Sequence, residues 1–161
     1  MKPIRWYVAV VGLTACGALA PANVAGNYTI SLTKRANGCN IMPWTMGEMT
    51  SAVPMTITQN NSAITGMVTG GSGAVLDVIL GSHTFTGAAA GTSFVMSLHG
   101  TTQGHSGNCA YTYTATVNGV LSGDVVTGTL DLTPETNKGT DCATLEGCKT
   151  TQDFNGTRPP T

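Results

Sequence analysis

Charge is scarce in this sequence. Asp, Glu, Lys and Arg make up 9% of its 161 residues, and the formal net charge is −1, whereas about a quarter of the residues in a typical soluble domain are charged. The lack of a basic stripe argues against a nucleic-acid partner. A helical bundle would need Glu, Lys and Arg at its exposed positions. Threonine, which suits the pleated surface of strands, must help to keep this chain soluble, so the composition favours an extracytoplasmic β-protein.

The motifs of several enzyme classes are absent. The sequence has no Gly-x-Ser-x-Gly elbow, no phosphate-binding loop, no dinucleotide fingerprint and no Cys-x-x-Cys pair. His83, His99 and His105 lack the i, i+4 spacing that would aim two rings at one metal, so we interpret them as separate residues. We therefore expect no catalytic site, no metal and no cofactor. A hydrolase or metal-dependent enzyme that uses these three histidines is the less favoured alternative.

No apolar run is long enough for a membrane-spanning helix. The run over residues 6–20 falls short of the roughly 20 residues that a span needs. It follows the positively charged Lys2 and Arg5, which is the layout of a secretory signal.

The signal leads into Leu13-Thr14-Ala15-Cys16, which resembles the lipobox of bacterial lipoproteins. The resemblance implies cleavage before Cys16, acylation of Cys16 and a lipid anchor in the bacterial cell envelope. Since aspartate does not follow the cysteine, the outer membrane is favoured. Ordinary cleavage after Ala20 is disfavoured because Pro21 would follow the cut. The membrane is thus the first expected partner.

The remaining cysteines form an even set. If Cys16 carries lipid, Cys39, Cys109, Cys142 and Cys148 are left, and in an oxidising compartment they predict two disulfides with three possible connectivities. We favour Cys39 with Cys109 and Cys142 with Cys148, because the second pair is close in sequence within a polar segment.

Short segments that alternate apolar and polar residues, separated by turn signals, predict an all-β fold. We expect an antiparallel meander of about eight strands, closed as a small β-barrel or folded as a sandwich. Residues 53–59 and 63–69 form the clearest hairpin, Asn118-Gly119 is a predicted turn, and residues 75–80 are a predicted buried strand after a turn at 70–73. The expected organisation is a signal peptide (1–15), an anchor and tether (16–26), a β-domain (27–134) and a polar, disulfide-linked C-terminal tail packed on it (135–161).

Two kinds of binding site follow from this fold. An eight-stranded barrel can hold a small apolar ligand, with Tyr28, Phe85, Phe94, Met96 and Tyr113 as expected lining residues. Alternatively, Trp44 and its neighbouring methionines contact a protein partner. The sequence therefore predicts a lipid-anchored cell-envelope protein with a non-enzymatic binding or structural role, or a carrier with a lipocalin-like cavity.

The lipid anchor has a direct test in the intact mass of the membrane-extracted protein, measured with and without reduction. We expect a chain that begins at Cys16 and carries two or three acyl chains. One acyl chain binds a membrane only marginally, whereas two or three hold it stably. Reduction should add the mass of two opened disulfides. A soluble form that begins at Pro21 would contradict the anchor.

Overall fold

The structure is a computed structural model and describes residues 20–160. The expected signal peptide and Cys16 lie outside these residues. The described strands are β1 (Gly26–Asn37), β2 (Met49–Asn60), β3 (Ala63–Val68), β4 (Thr84–Ala90), β5 (Ser93–His99), β6 (Gly104–Ser106), β7 (Cys109–Ser122), β8 (Val125–Thr136) and β9 (Thr150–Thr157). Helix α1 (Gly70–Leu80) separates β3 from β4, and a short 3-10 helix (Thr140–Cys142) precedes β9.

The strands close into an antiparallel β-barrel. Each strand from β1 to β4 pairs with the next, β5 pairs with β7, β7 pairs with β8, and β9 lies between β8 and β1. This arrangement makes a closed barrel of eight strands, with β6 as an additional strand on β7. The predicted all-β class is confirmed, and the barrel is chosen over the sandwich.

Alternation along the strands builds the core. Because successive side chains of a strand point to opposite faces, Tyr28 and Ile30 of β1 and Phe94, Met96 and Leu98 of β5 all face the interior, where each is at least 94% buried. The predicted hairpin at residues 53–69 is confirmed as β2 and β3.

The predicted turn at Asn118-Gly119 is wrong. Strand β7 runs through both residues, and Gly119 pairs with Gly128 of β8. A Cβ atom on Gly128 would lie 1.9 Å from the Asn118 carbonyl oxygen, so glycine is needed because the two backbones approach closely. The chain reverses instead at Gly123, which has a φ of +60°.

The strand predicted over residues 75–80 is also wrong, as is the turn before it. These residues belong to α1, an 11-residue helix that ends at Gly81, whose φ is +79°. The apolar residues of α1 lie on several of its faces, with Leu80 buried and Val75 and Val78 exposed. Because its apolar residues are not confined to one face, the sequence of α1 shows no 3.6-residue apolar period. None of the helices within residues 20–160 is long and apolar enough to cross a membrane.

The C-terminal segment is part of the barrel rather than a tail packed on it. Strand β8 extends to Thr136, and β9 pairs with both β1 and β8. Strand β9 was not predicted because its inner face is mostly polar or small. Only Phe154 is a large apolar residue among the inward-facing Thr150, Gln152, Phe154 and Gly156.

All four expected cysteines form disulfides, but the favoured pairing is wrong. The bonds join Cys39 to Cys148 and Cys109 to Cys142. Cys39 follows the end of β1 and Cys148 precedes the start of β9, and these two ends are paired in the sheet. Cys109 begins β7 beside the end of β8, from which the chain leads directly to Cys142. Strand order, which the cysteine spacing does not report, therefore decides the connectivity.

We expect Gly128→Ala to destabilise the barrel by about 1–3 kcal/mol, because its methyl group would overlap the β7 backbone. Urea unfolding followed by circular dichroism measures the change. Gly71→Ala is the matched control, since a Cβ there meets nothing within 4 Å and alanine is the better helix former. Equal stability of the two variants would contradict the close approach of β7 and β8.

Candidate functional site

A cavity of about 570 Å³ occupies the barrel interior. Its size lies in the range of small-molecule pockets, roughly 300–1,000 Å³. Most of the side chains that line it are apolar, and the polar side chains among them include Lys34, Thr50, Ser72 and Gln152. Such a lining favours an apolar ligand with a small polar group.

Four of the five predicted lining residues border this cavity, namely Phe85, Phe94, Met96 and Tyr113. The rings of Phe94 and Phe154 lie 6.5 Å apart, centre to centre. Above them the wall is formed by smaller side chains such as Ala115 and Val117. An eight-stranded barrel is just wide enough to be filled by its own side chains, so these small residues leave the space that remains empty.

Tyr28 does not line the cavity, although it is buried. Its hydroxyl donates a 3.0 Å hydrogen bond to the carbonyl of Val24, which is fully buried. The Gln59 side chain accepts a bond from the Val24 amide and donates one to the Ala22 carbonyl. Burial raises the pKa of the Tyr28 hydroxyl, although the nearby Arg158 opposes the shift. Residues 22–25 thus plug one end of the barrel, with Tyr28 packed beneath them.

The opposite end of the barrel is bordered by α1. The amide of Thr69 bonds the Pro54 carbonyl at 3.0 Å, and the amide of Thr101 bonds the Leu80 carbonyl at 2.7 Å. The helix therefore runs from β2 to the segment after β5. Val75 and Ile79 line the cavity and are 56% and 54% exposed.

The second border of this end is the segment 38–48, termed here the Trp44 loop. Ile41, Met42, Pro43 and Trp44 all line the cavity. Trp44 is half-buried, and its ring N–H donates a 3.0 Å bond to the Arg35 carbonyl. The indole of Trp44, the expected protein contact, is part of the cavity wall.

Lys34 is the only charged side chain that lines the cavity among residues 20–160. Its ammonium lies 2.6 Å from the Glu48 carboxylate, donates to the Pro43 carbonyl at 3.3 Å and lies 5.4 Å from the centre of the Trp44 ring. The Lys34 side chain is 19% exposed, whereas that of Glu48 is 52% exposed. The positive charge is thus held close to the cavity while its partner faces solvent.

Sequence reasoning missed Lys34 and Gln152. Lys34 follows Ile30 and Leu32 at the same two-residue spacing, so an extension of the β1 alternation by one step would have placed it inside. Gln152 was hidden with the rest of β9. The lining residues of α1 were missed because that segment was predicted as a strand.

The three histidines make separate contacts. His83 bonds the Asp77 carboxylate at 2.7 Å, His99 contacts Thr114 at 3.2 Å and Glu135 at 3.4 Å, and His105 lies on β6. Residues 20–160 contain no group of three His, Cys, Asp or Glu side chains arranged to hold a metal.

Thr114, His99 and Glu135 do not have the geometry of a catalytic triad. Thr114 and Glu135 both contact the same nitrogen of His99, Nδ1, whereas in a triad the nucleophile and the carboxylate occupy opposite nitrogens. The Thr114 hydroxyl donates instead to Glu135 at 2.5 Å. That hydrogen bond, followed by the one from His99, lowers the pKa of the Glu135 carboxyl.

Comparison with family models, with curated proteins and with solved structures gave no match.

We expect Thr114→Val to raise the pKa of Glu135 back toward its usual value, because the hydroxyl that holds the ionised form is lost. Carboxyl-carbon NMR titration measures the shift. Since the folded-state pKa is lowered, the stabilising effect of ionised Glu135 is present above its unfolded pKa and is lost as the pH falls through its folded pKa.

The matched control is Thr58→Val, which removes a threonine hydroxyl bonded to the Thr65 carbonyl on β3. It should leave the Glu135 titration unchanged. An unchanged Glu135 titration in Thr114→Val would refute the role of the Thr114 hydroxyl.

Proposed function

We propose that this chain binds a small apolar ligand inside its barrel and works as a carrier tethered to the bacterial cell envelope through lipid on Cys16. The observation that carries the proposal is the cavity of about 570 Å³ with its predominantly apolar lining. Removal of apolar surface from water contributes about 25 cal/mol per Å². A ligand that fills such a space therefore gains affinity in proportion to the apolar area it buries.

The open end of the barrel supports a carrier over a protein-contact role. A protein partner would be favoured by a filled interior and a freely exposed Trp44. Instead the interior is empty, and Trp44 borders it with its ring N–H already bonded. The exposed apolar residues Val75, Ile79 and Met42 lie at the same end, where an apolar ligand would enter.

The proposed lipid anchor would be attached at the plugged end of the barrel, away from the open end. Residues 22–25 lie at the plugged end, opposite α1 and the Trp44 loop. Ala22 is the sixth residue after Cys16, and an extended chain over six residues spans at most about 20 Å. A lipid on Cys16 would therefore hold the plugged end near the membrane and leave the entrance free.

An elongated ligand fits better than a compact one, because the lining extends from Phe94 and Phe154 up to α1 and the Trp44 loop. Each buried methylene contributes about 0.8 kcal/mol, which is about a fourfold change in affinity. Affinity should therefore rise steeply with chain length until the cavity is filled.

We expect Leu130→Trp to weaken the binding of a neutral apolar dye, N-phenyl-1-naphthylamine, by at least about tenfold, because the larger side chain fills the space the dye would occupy. Leu130 lines the cavity. Dye fluorescence on titration gives the Kd.

Thr127→Trp is the matched control on the same strand, since Thr127 is exposed on the outer face. It should bind the dye as the unaltered protein does. Equal weakening in both variants, or no dye binding by the unaltered protein, would overturn the cavity as a ligand site.

A further inference from the structure

We infer that the ligand is a single-chain amphiphile with a carboxylate head group, and that Lys34 and Gln152 bind this head group. The inference rests on the proposed function, because it names the class of ligand for the same cavity.

Lys34 and Gln152 are neighbours on the inner face of the barrel. They are directly opposite each other in the antiparallel pairing of β1 with β9, and both line the cavity. Directly opposite residues have Cβ atoms about 4.5–5.5 Å apart and project on the same side of the sheet. The next inward pair toward the plugged end is Leu32 and Phe154, which is apolar. The polar pair therefore marks the place where the apolar inner faces of β1 and β9 end.

The chemistry of this pair fits a carboxylate. An ammonium supplies three hydrogen-bond donors and a full positive charge, and a glutamine amide supplies two further donors. Hydrogen bonds between charged partners are roughly twice as strong as neutral ones. A carboxylate at the end of an apolar chain would place its oxygens against Lys34 and Gln152 while the chain lies against the rings of Phe94 and Phe154. A neutral head group would add no charge-assisted hydrogen bond to the ammonium, and a cationic head group would be repelled by it.

The carboxylate that pairs with Lys34 in the structure is that of Glu48, which does not line the cavity. Its oxygen lies 2.6 Å from the Lys34 ammonium, but its side chain is 52% exposed. Ion pairs with an exposed partner contribute little to stability, so a ligand carboxylate can replace Glu48, which then returns to solvent. The Pro43 carbonyl and the Trp44 ring keep the ammonium in position during the exchange.

The other cationic side chains near β1 and β9 pair with carboxylates outside the cavity. Arg35 follows Lys34 and therefore lies on the outer face of β1, where it pairs with Asp153 at 2.6 Å. Lys149 pairs with Asp131 at 3.3 Å, and its side chain is 56% exposed. Neither cation lines the cavity. Within residues 20–160, the charge available to a ligand in the cavity is that of Lys34.

The test compares three ligands with the same chain: hexadecanoate, its methyl ester and hexadecan-1-ol. Each displaces N-phenyl-1-naphthylamine from the full-length protein, which gives its Kd. We expect hexadecanoate to bind about tenfold tighter than the ester or the alcohol, the change that one charged hydrogen bond supplies. Lys34→Met should abolish this preference and leave the affinity for the ester within about twofold, and Lys34→Arg should retain it.

Glu48→Gln gives a second, opposite prediction. Loss of the competing carboxylate should tighten the binding of hexadecanoate several-fold and leave the binding of the ester unchanged. Lys149→Met is the matched control, because it removes a paired lysine on the outside of the barrel. It should change neither affinity.

The outcomes separate the two proposals. If all three ligands bind equally, or if Lys34→Met weakens the acid and the ester alike, the carboxylate site is overturned and the apolar carrier stands. If the unaltered protein binds the dye and none of the three chains displaces it, the single-chain ligand class is overturned. If the dye and the chains all fail to bind, the carrier function fails, and the head-group site with it.

Discussion

The insertion of β9 between β1 and β8 is the constraint on which the rest of the structure depends. Without it, these two long strands would present open edges with unpaired backbone groups. With it, the sheet closes, and the Cys39–Cys148 bond fixes the end at which β1 and β9 meet. Closure also brings Gln152 beside Lys34. The same strand that completes the hydrogen bonding therefore supplies half of the proposed head-group site.

Closure at eight strands sets the width of the interior, and side-chain size decides how much of it is filled. At the plugged end, Tyr28, Val24 and the Gln59 side chain fill the space and satisfy each other's polar groups. Toward the other end, the wall changes to smaller side chains such as Ala115. One closed sheet thus has a filled end and a cavity bordered by α1.

Features that depend on the local alternation of apolar and polar residues could be predicted from the sequence. Features that depend on which distant strands pair could not. The strands around Phe94 and the hairpin of β2 and β3 could be predicted because every second residue is apolar and buried. A turn was predicted at Asn118-Gly119 because this dipeptide is typical of turns. Gly119 instead lies within β7, where it lets β7 and β8 approach closely. The disulfide pairing and β9 depend on strand order. Four lining residues were predicted from their aromatic or thioether character, whereas Lys34 was not, since one charge in an apolar series suggests the end of a buried face.

The low charge content that indicated a β-protein also gives the cavity its proposed selectivity. An ammonium beside an apolar wall interacts more strongly with an anion than it would in bulk water, because the local dielectric is lower. In a chain with many charges, neighbouring groups would compensate Lys34 from several directions. In this chain the compensation comes from Glu48, which lies mainly in solvent, and from the Pro43 carbonyl and the Trp44 ring. These contacts orient the ammonium but leave its charge for a ligand. In the proposed carrier, a single lysine at the upper end of the apolar faces of β1 and β9 distinguishes an acid from its ester, while the apolar wall below it sets the length of the chain.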